Sequence, residues 1–139
     1  MKKISTLSPL FAATLMLSAC AQTDIQPLSA SSFKVATTAA PACGRTGARK
    51  VANQAAAIEV IKRGGDGFVI VGDQTGSRVT GVGYNQYTGF QAYNSNEQDL
   101  VVQMLTPGQP GFEQALSART VLGSGWQQIV AEGTPATCT

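Results

Sequence analysis

Three cysteines, at positions 20, 43 and 138, constrain the fold of this 139-residue chain more than any other feature. Cys20 closes an N-terminal segment in which Met1-Lys2-Lys3 precedes an apolar run from Leu7 to Leu17. That run has about 11 residues, too few to span a bilayer, which needs about 20. A basic start, a short apolar run and small residues before the cleavage point are typical of a secretory signal peptide. Residues 1–19 are therefore predicted to be a signal peptide.

The end of this segment, Leu17-Ser18-Ala19-Cys20, resembles a bacterial lipobox. The resemblance implies cleavage before Cys20, a thioether bond between its thiol and a diacylglycerol that carries two acyl chains such as palmitate, and acylation of the new amino group. Two or more acyl chains anchor a protein stably, whereas one binds a membrane marginally. In Gram-negative bacteria, lipoproteins retained in the inner membrane commonly carry Asp just after the lipidated cysteine, and here Ala21 and Gln22 follow. The resemblance implies an outer-membrane anchor and a periplasm-facing domain; an ordinary signal peptide followed by a chance cysteine is the alternative.

The charge balance and the missing histidine exclude several classes of function. Lys2 and Lys3 account for the whole excess of 10 basic over 8 acidic residues, so the exported part carries no net formal charge. A neutral domain lacks the electrostatic footprint of a nucleic-acid binder. Without histidine, the chain has neither a His-based catalytic triad nor His-ligated zinc. We therefore expect no cofactor, no metal and no catalytic residue.

Cys43 and Cys138 remain once Cys20 is lipidated. In an oxidising compartment such an even pair predicts a disulfide. The bridge would close a loop of about 95 residues, worth roughly 4–5 kcal/mol in the chain-entropy model. Two free thiols or intermolecular pairs are the alternatives.

Composition divides the exported part into two regions. Residues 20–31 are small and polar, which predicts a lipidated tether. Residues 32–139 are predicted to form a single domain. Its first element, Ser32–Thr37, alternates apolar and polar residues and is predicted to be a strand with Phe33 and Val35 inward.

The rest of the domain mixes helices and strands. Apolar residues at three- and four-residue spacing predict an alanine-rich helix over Thr46–Arg63. Phe68–Val71 and Leu100–Leu105 are predicted strands, Phe112–Leu122 a second helix, and Trp126–Ala131 a short helical turn. Strand, helix and strand in succession indicate a parallel unit. The predicted fold is α+β: a two-layer sandwich with a small mixed sheet and helices on one face.

Polar stretches between these elements are predicted to be turns, at Asp73–Gly76 and at Asn94–Gln98. Between them lies a cluster of aromatic residues that forms a candidate binding surface. Exposed, these side chains could stack on a sugar or contact a partner protein; buried, they would be packing residues of a sheet face, which we favour. The cluster comprises Tyr84, Tyr87, Phe90 and Tyr93.

The order of these features resembles that of small uncharacterised lipoproteins of Gram-negative bacteria. The matching segments are Leu17–Cys20, Phe33–Val35, Cys43, Ala48–Gly65 and Asp66–Val71. No established activity comes with the resemblance. The sequence leads us to expect a non-enzymatic, lipid-anchored envelope protein with a structural, accessory or interaction role, whose partner beyond membrane lipid is an envelope protein or a glycan. The alternative function is a periplasmic binding module for a glycan or a small molecule.

Overall fold

The computed structural model describes residues 20–138, so the predicted signal peptide lies outside the described residues. For ten residues within this range only the backbone is described: Arg78, Thr80, Gly81, Val82, Gly83, Tyr84, Asn85, Gly89, Phe90 and Tyr93. The described part contains the strands β1 (Ala21–Pro27), β2 (Ser32–Ala39), β3 (Gly67–Asn85), β4 (Gly89–Leu105) and β5 (Leu116–Ser117), and the helices α1 (Gly44–Lys62), α2 (Ala118–Leu122) and α3 (Trp126–Glu132). Two 3-10 turns, Pro41–Cys43 and Phe112–Gln114, complete it.

The five strands form one sheet in the order β1-β2-β4-β3-β5, and every neighbouring pair is antiparallel. The α+β class is confirmed, but the sheet is antiparallel where we predicted a mixed one. β2 and β3 do run in the same direction, because each is antiparallel to β4. They are not neighbours, since β4 returns from β3 through a hairpin and lies between them. Antiparallel strands can be joined by such a short turn, whereas parallel neighbours need a long crossover.

The segment predicted as a tether is largely the edge strand β1. It pairs with β2 along its whole length, from Ala21 opposite Ala39 to Pro27 opposite Phe33. Burial alternates along it: Ala21, Thr23 and Ile25 are half-buried, whereas Gln22, Asp24 and Gln26 are exposed. The tether prediction is therefore wrong for residues 21–27. Successive side chains of a strand point to opposite faces, and these small and polar residues alternate in this way although their composition resembles that of a linker.

The core lies between α1 and one face of the sheet. β2 and β4 contribute side chains that are at most 1% exposed, including Phe33, Val35, Leu100 and Val102. The predicted helix is confirmed with bounds shifted by one or two residues, and it faces the sheet mainly with alanine, which lets the helix lie close. The buried residues of α1 are Ala48, Val51, Ala52, Ala55, Ala56, Ala57, Ile58 and Val60.

The helices lie in one layer, as predicted. Ala118 and Leu122 of α2 belong to the same core cluster as α1, and Trp126 of α3 packs against it. The opposite face of the sheet carries the Lys34–Asp99 ion pair, with Nζ and Oδ2 2.7 Å apart and both side chains partly exposed. No described helix covers that face.

The second predicted helix, Phe112–Leu122, is broken in the structure. The strand β5 interrupts it, and only the five residues of α2 are α-helical. Asp66, in the turn after α1, draws this segment toward β3: its Oδ2 accepts a hydrogen bond from Ser117 Oγ at 2.9 Å and its backbone oxygen accepts one from Ala118 N at 2.9 Å. These long-range hydrogen bonds hold the backbone near Ser117 out of a helix.

β3 and β4 form a hairpin much longer than the rest of the sheet. The prediction of turns at Asp73–Gly76 and Asn94–Gln98 is wrong, because both stretches lie inside these strands. Pairing with β2 ends at Asn96 of β4. Beyond that point, β3 and β4 pair only with each other in the described structure, up to Asn85 opposite Gly89. We call residues 77–94 the arm.

Phe33→Ala should lower the free energy of unfolding by about 3–5 kcal/mol, because it removes a large, fully buried side chain from the core. Leu28→Ala is the matched control: Leu28 is 57% exposed in the turn after β1, and surface changes of this kind alter stability by about 0.5 kcal/mol or less. Urea denaturation of both variants measures the difference. Equal losses would contradict the assignment of the core.

Candidate functional site

Cys20 lies on the surface where the two ends of the described chain meet. Ala21 N donates a hydrogen bond to Ala136 O at 2.8 Å, and Ala40 N donates one to Cys20 O at 2.9 Å. Cys20 also forms a single antiparallel bridge with Thr137. These contacts hold the backbone of Cys20 between two segments, and Cys20 is nevertheless exposed to solvent. We call Cys20, Ala21, Ala40, Ala136 and Thr137 the anchor corner.

A disulfide between Cys43 and Cys138 supports the anchor corner, and the predicted pairing is confirmed. The two Cα atoms are 5.7 Å apart. Gly47, one turn into α1, passes so close that a Cβ atom there would lie 3.1 Å from the Cβ atoms of both cysteines. The bridge ties the residues next to Thr137 to the start of α1. The C-terminal segment is therefore held at one side by α1 and at the other by the strand that begins after Cys20.

A cleft of about 450 Å³ lies between α1 and the C-terminal segment. This volume falls within the range of small-molecule sites in proteins, about 300–1,000 Å³. Val51 and Ile129 supply apolar lining, whereas Lys50, Gln54 and Glu132 supply polar groups of both charges. Residues 133–138 form the remaining wall, so the same disulfide that supports the anchor corner also shapes this cleft.

A polar network that the sequence did not predict crosses the helix–sheet contact. Gln98 is fully buried; its Nε2 donates to Asp73 Oδ1 at 2.6 Å and its Oε1 accepts from Thr75 Oγ1 at 2.8 Å. Arg49 of α1 approaches the same carboxylate, with NH2 3.3 Å from Asp73 Oδ2. Gln98 shares the burial alternation of Leu100, but the residues from 94 to 99 are all polar, so the sequence carries no period of two that could have placed it in a strand.

The network is internally satisfied. Asp73 faces a guanidinium and an amide, so its charge is compensated within the fold, and among the described residues no buried side-chain nitrogen or oxygen lacks a hydrogen-bond partner. Satisfied polar networks of this kind fix how elements meet. Here the network aligns α1 with β3 and β4.

The aromatic cluster falls on the arm. Tyr87, in the turn between β3 and β4, is 86% exposed. For this residue the favoured prediction, burial against a sheet face, is wrong, and the alternative of an exposed aromatic side chain is correct. The side chains of Tyr84, Phe90 and Tyr93 lie outside the description. The backbone places Tyr84 opposite Phe90 in the ladder, and Tyr93 opposite Gly81 nearer the sheet.

Within residues 20–138, no helix combines the length and the apolar character needed to cross a membrane. Across the same range, no three His, Cys, Asp or Glu side chains are grouped so that they could hold a metal ion.

Comparisons of the chain with models of protein families, with curated proteins and with solved structures gave no match. Geometry and sequence pattern therefore carry the functional interpretation.

Replacing both Cys43 and Cys138 with alanine should lower the free energy of unfolding by roughly 4–5 kcal/mol, because the denatured chain regains the freedom of a 95-residue loop. Urea denaturation of the oxidised wild type, the reduced wild type and the double variant measures the loss. Cys20→Ala, which leaves the bridge intact, is the control and should match the oxidised wild type. A double variant as stable as the wild type would contradict this role of the disulfide.

Proposed function

We propose that this protein is a bacterial lipoprotein, anchored through Cys20 to the outer membrane and facing the periplasm. The observation that carries the proposal is the lipobox-like sequence Leu17-Ser18-Ala19-Cys20, whose cysteine is exposed at the start of the folded domain. An exposed position suits the modification, because acyl chains must leave the protein surface to enter a bilayer.

The disulfide gives independent support to export. Disulfides form and persist in the periplasm and are rare in the cytosol, where thiols are kept reduced. A bridge between Cys43 and Cys138 therefore suits a domain that folds after export. Sorting to the outer membrane rests on Ala21 and Gln22, which occupy the positions where inner-membrane lipoproteins commonly carry Asp.

We further propose that the domain acts by contact rather than by catalysis, as a structural, accessory or interaction module of the envelope. The chain has no histidine, and the carboxylate of Asp73 is compensated by Arg49 and Gln98. A general acid or base needs a proton that it can exchange with a substrate, whereas Asp73 is engaged in holding α1 to the sheet.

Cys20→Ala should abolish incorporation of an alkyne-tagged fatty acid in bacteria that express the full chain, and should release the protein from the membrane fraction. The matched control is the Cys43→Ala, Cys138→Ala double variant, which keeps Cys20 and should still be labelled. Gel fluorescence after coupling a dye to the alkyne gives the readout. Equal labelling of the wild type and Cys20→Ala would refute the anchor.

A binding module for a glycan or a small molecule is the second candidate, favoured by the exposed Tyr87 and by the cleft beside Ile129. Trp126 opens the helix that carries Ile129, so ligand binding in the cleft should change its fluorescence. Titration with peptidoglycan fragments, followed by both tryptophan and tyrosine emission, should give a saturable response. Tyr87→Ala should weaken the tyrosine response if the arm binds, and should leave the response of Trp126 intact if the cleft binds. A flat response at all concentrations would reject this candidate.

A further inference from the structure

The arm and the anchor corner leave the sheet at the same end. The register places Ala21, Ala39, Asn96 and Ser77 in one row across β1, β2, β4 and β3. Cys20 lies one residue beyond this row, and the arm extends beyond it on the same side. The two features are also close in space, because Cys20 and Ser95, at the base of the arm, line the same shallow depression.

The arm reaches well past the rest of the fold. From Ser77 it runs nine residues to Asn85 before the turn, about 30 Å at the usual rise of a strand. A two-stranded hairpin is marginally stable by itself in water. All the arm side chains that the structure describes are exposed: Ser77, Val79, Gln86, Tyr87, Thr88, Gln91, Ala92 and Asn94.

The sequence of the arm is unlike that of an ordinary solvated surface. Arg78 is its only charged residue, and no acidic residue occurs in it. The stretch nevertheless holds Tyr84, Tyr87, Phe90 and Tyr93, half of the chain's aromatic side chains apart from Trp126. Tyrosine is enriched where a membrane meets water, because its ring is apolar and its hydroxyl is polar. The absence of acidic residues removes repulsion from anionic lipid headgroups.

We propose that the arm is a second membrane contact, lying along the headgroup layer beside the acylated Cys20. This inference rests on the proposed lipid anchor, which brings the bilayer surface to the level of the base of the arm. The arm does not cross the hydrocarbon core, because a two-stranded ribbon has open edges whose backbone groups would lose their hydrogen bonds there. It lies at the interface, where water and headgroups satisfy those edges.

Two contacts would fix the orientation of the domain on the membrane. An anchor alone allows the domain to pivot about Cys20, whereas an arm resting on the same surface opposes that motion. The turn between β1 and β2, which contains Leu28, then points away from the bilayer, because it lies at the opposite end of the sheet from Cys20.

Quenching of tryptophan by brominated lipid tests this orientation. The full lipidated protein is reconstituted into vesicles of phosphatidylethanolamine and phosphatidylglycerol, with and without bromine near the top of the acyl chains. Three forms are compared: the wild type, whose Trp126 sets the baseline, Tyr87→Trp in the arm, and Leu28→Trp as the matched control at the opposite end. Both substituted residues are exposed, so both variants should fold as the wild type does.

Tyr87→Trp should lose emission in brominated vesicles relative to unbrominated ones, whereas Leu28→Trp and the wild type should give the same emission in both. Flotation of each sample with its vesicles tests the anchor separately. Protein that floats without additional quenching of Tyr87→Trp would overturn the inference while leaving the anchor standing, and an arm paired with a second copy of the chain would give this result. Protein that does not float would instead refute the proposed function.

Discussion

The contact between the alanine face of α1 and the strands β2 and β4 is the interaction on which the rest of the structure depends. Short side chains on the helix allow Phe33, Val35 and Leu100 to fill the space beneath it. A helix so close to the sheet fixes the position of its first turn, where Cys43 bonds to Cys138. The C-terminal segment and the anchor corner therefore take their places from a packing contact deep in the domain.

Sequence alone predicts those parts of the fold whose signal is local and strong. The repeat of small apolar residues along α1 predicts a helix within two residues of its observed bounds, and alternation around Phe33 predicts the inward face of β2. The disulfide was predictable because, with Cys20 assigned to the lipobox-like segment, only Cys43 and Cys138 were left to pair. These features depend on neighbours in the sequence or on simple chemistry.

The features that sequence reasoning missed are set by distant partners. Asp66 interrupts a helical pattern through hydrogen bonds to residues about 50 positions away, and Gln98 lies in a strand whose side-chain partners, Asp73 and Thr75, come from another part of the chain. Polar residues on a pleated strand look like turn residues until their partners are known. The anchor corner was predicted in part, since Cys20 is marked by the residues before it, but its contact with Thr137 has no local signal.

The closure of the anchor corner has a practical consequence for how the protein is tagged. Because Ala21 and Ala136 are joined by a backbone hydrogen bond, a polypeptide fused to the C-terminal residue, next to Cys138, would start close to Cys20. A reporter placed there would crowd the surface around Cys20, and its signal would describe that side of the molecule. The turn at Leu28 lies at the far end of the sheet and is the better insertion point for an epitope intended to leave the surface around Cys20 undisturbed.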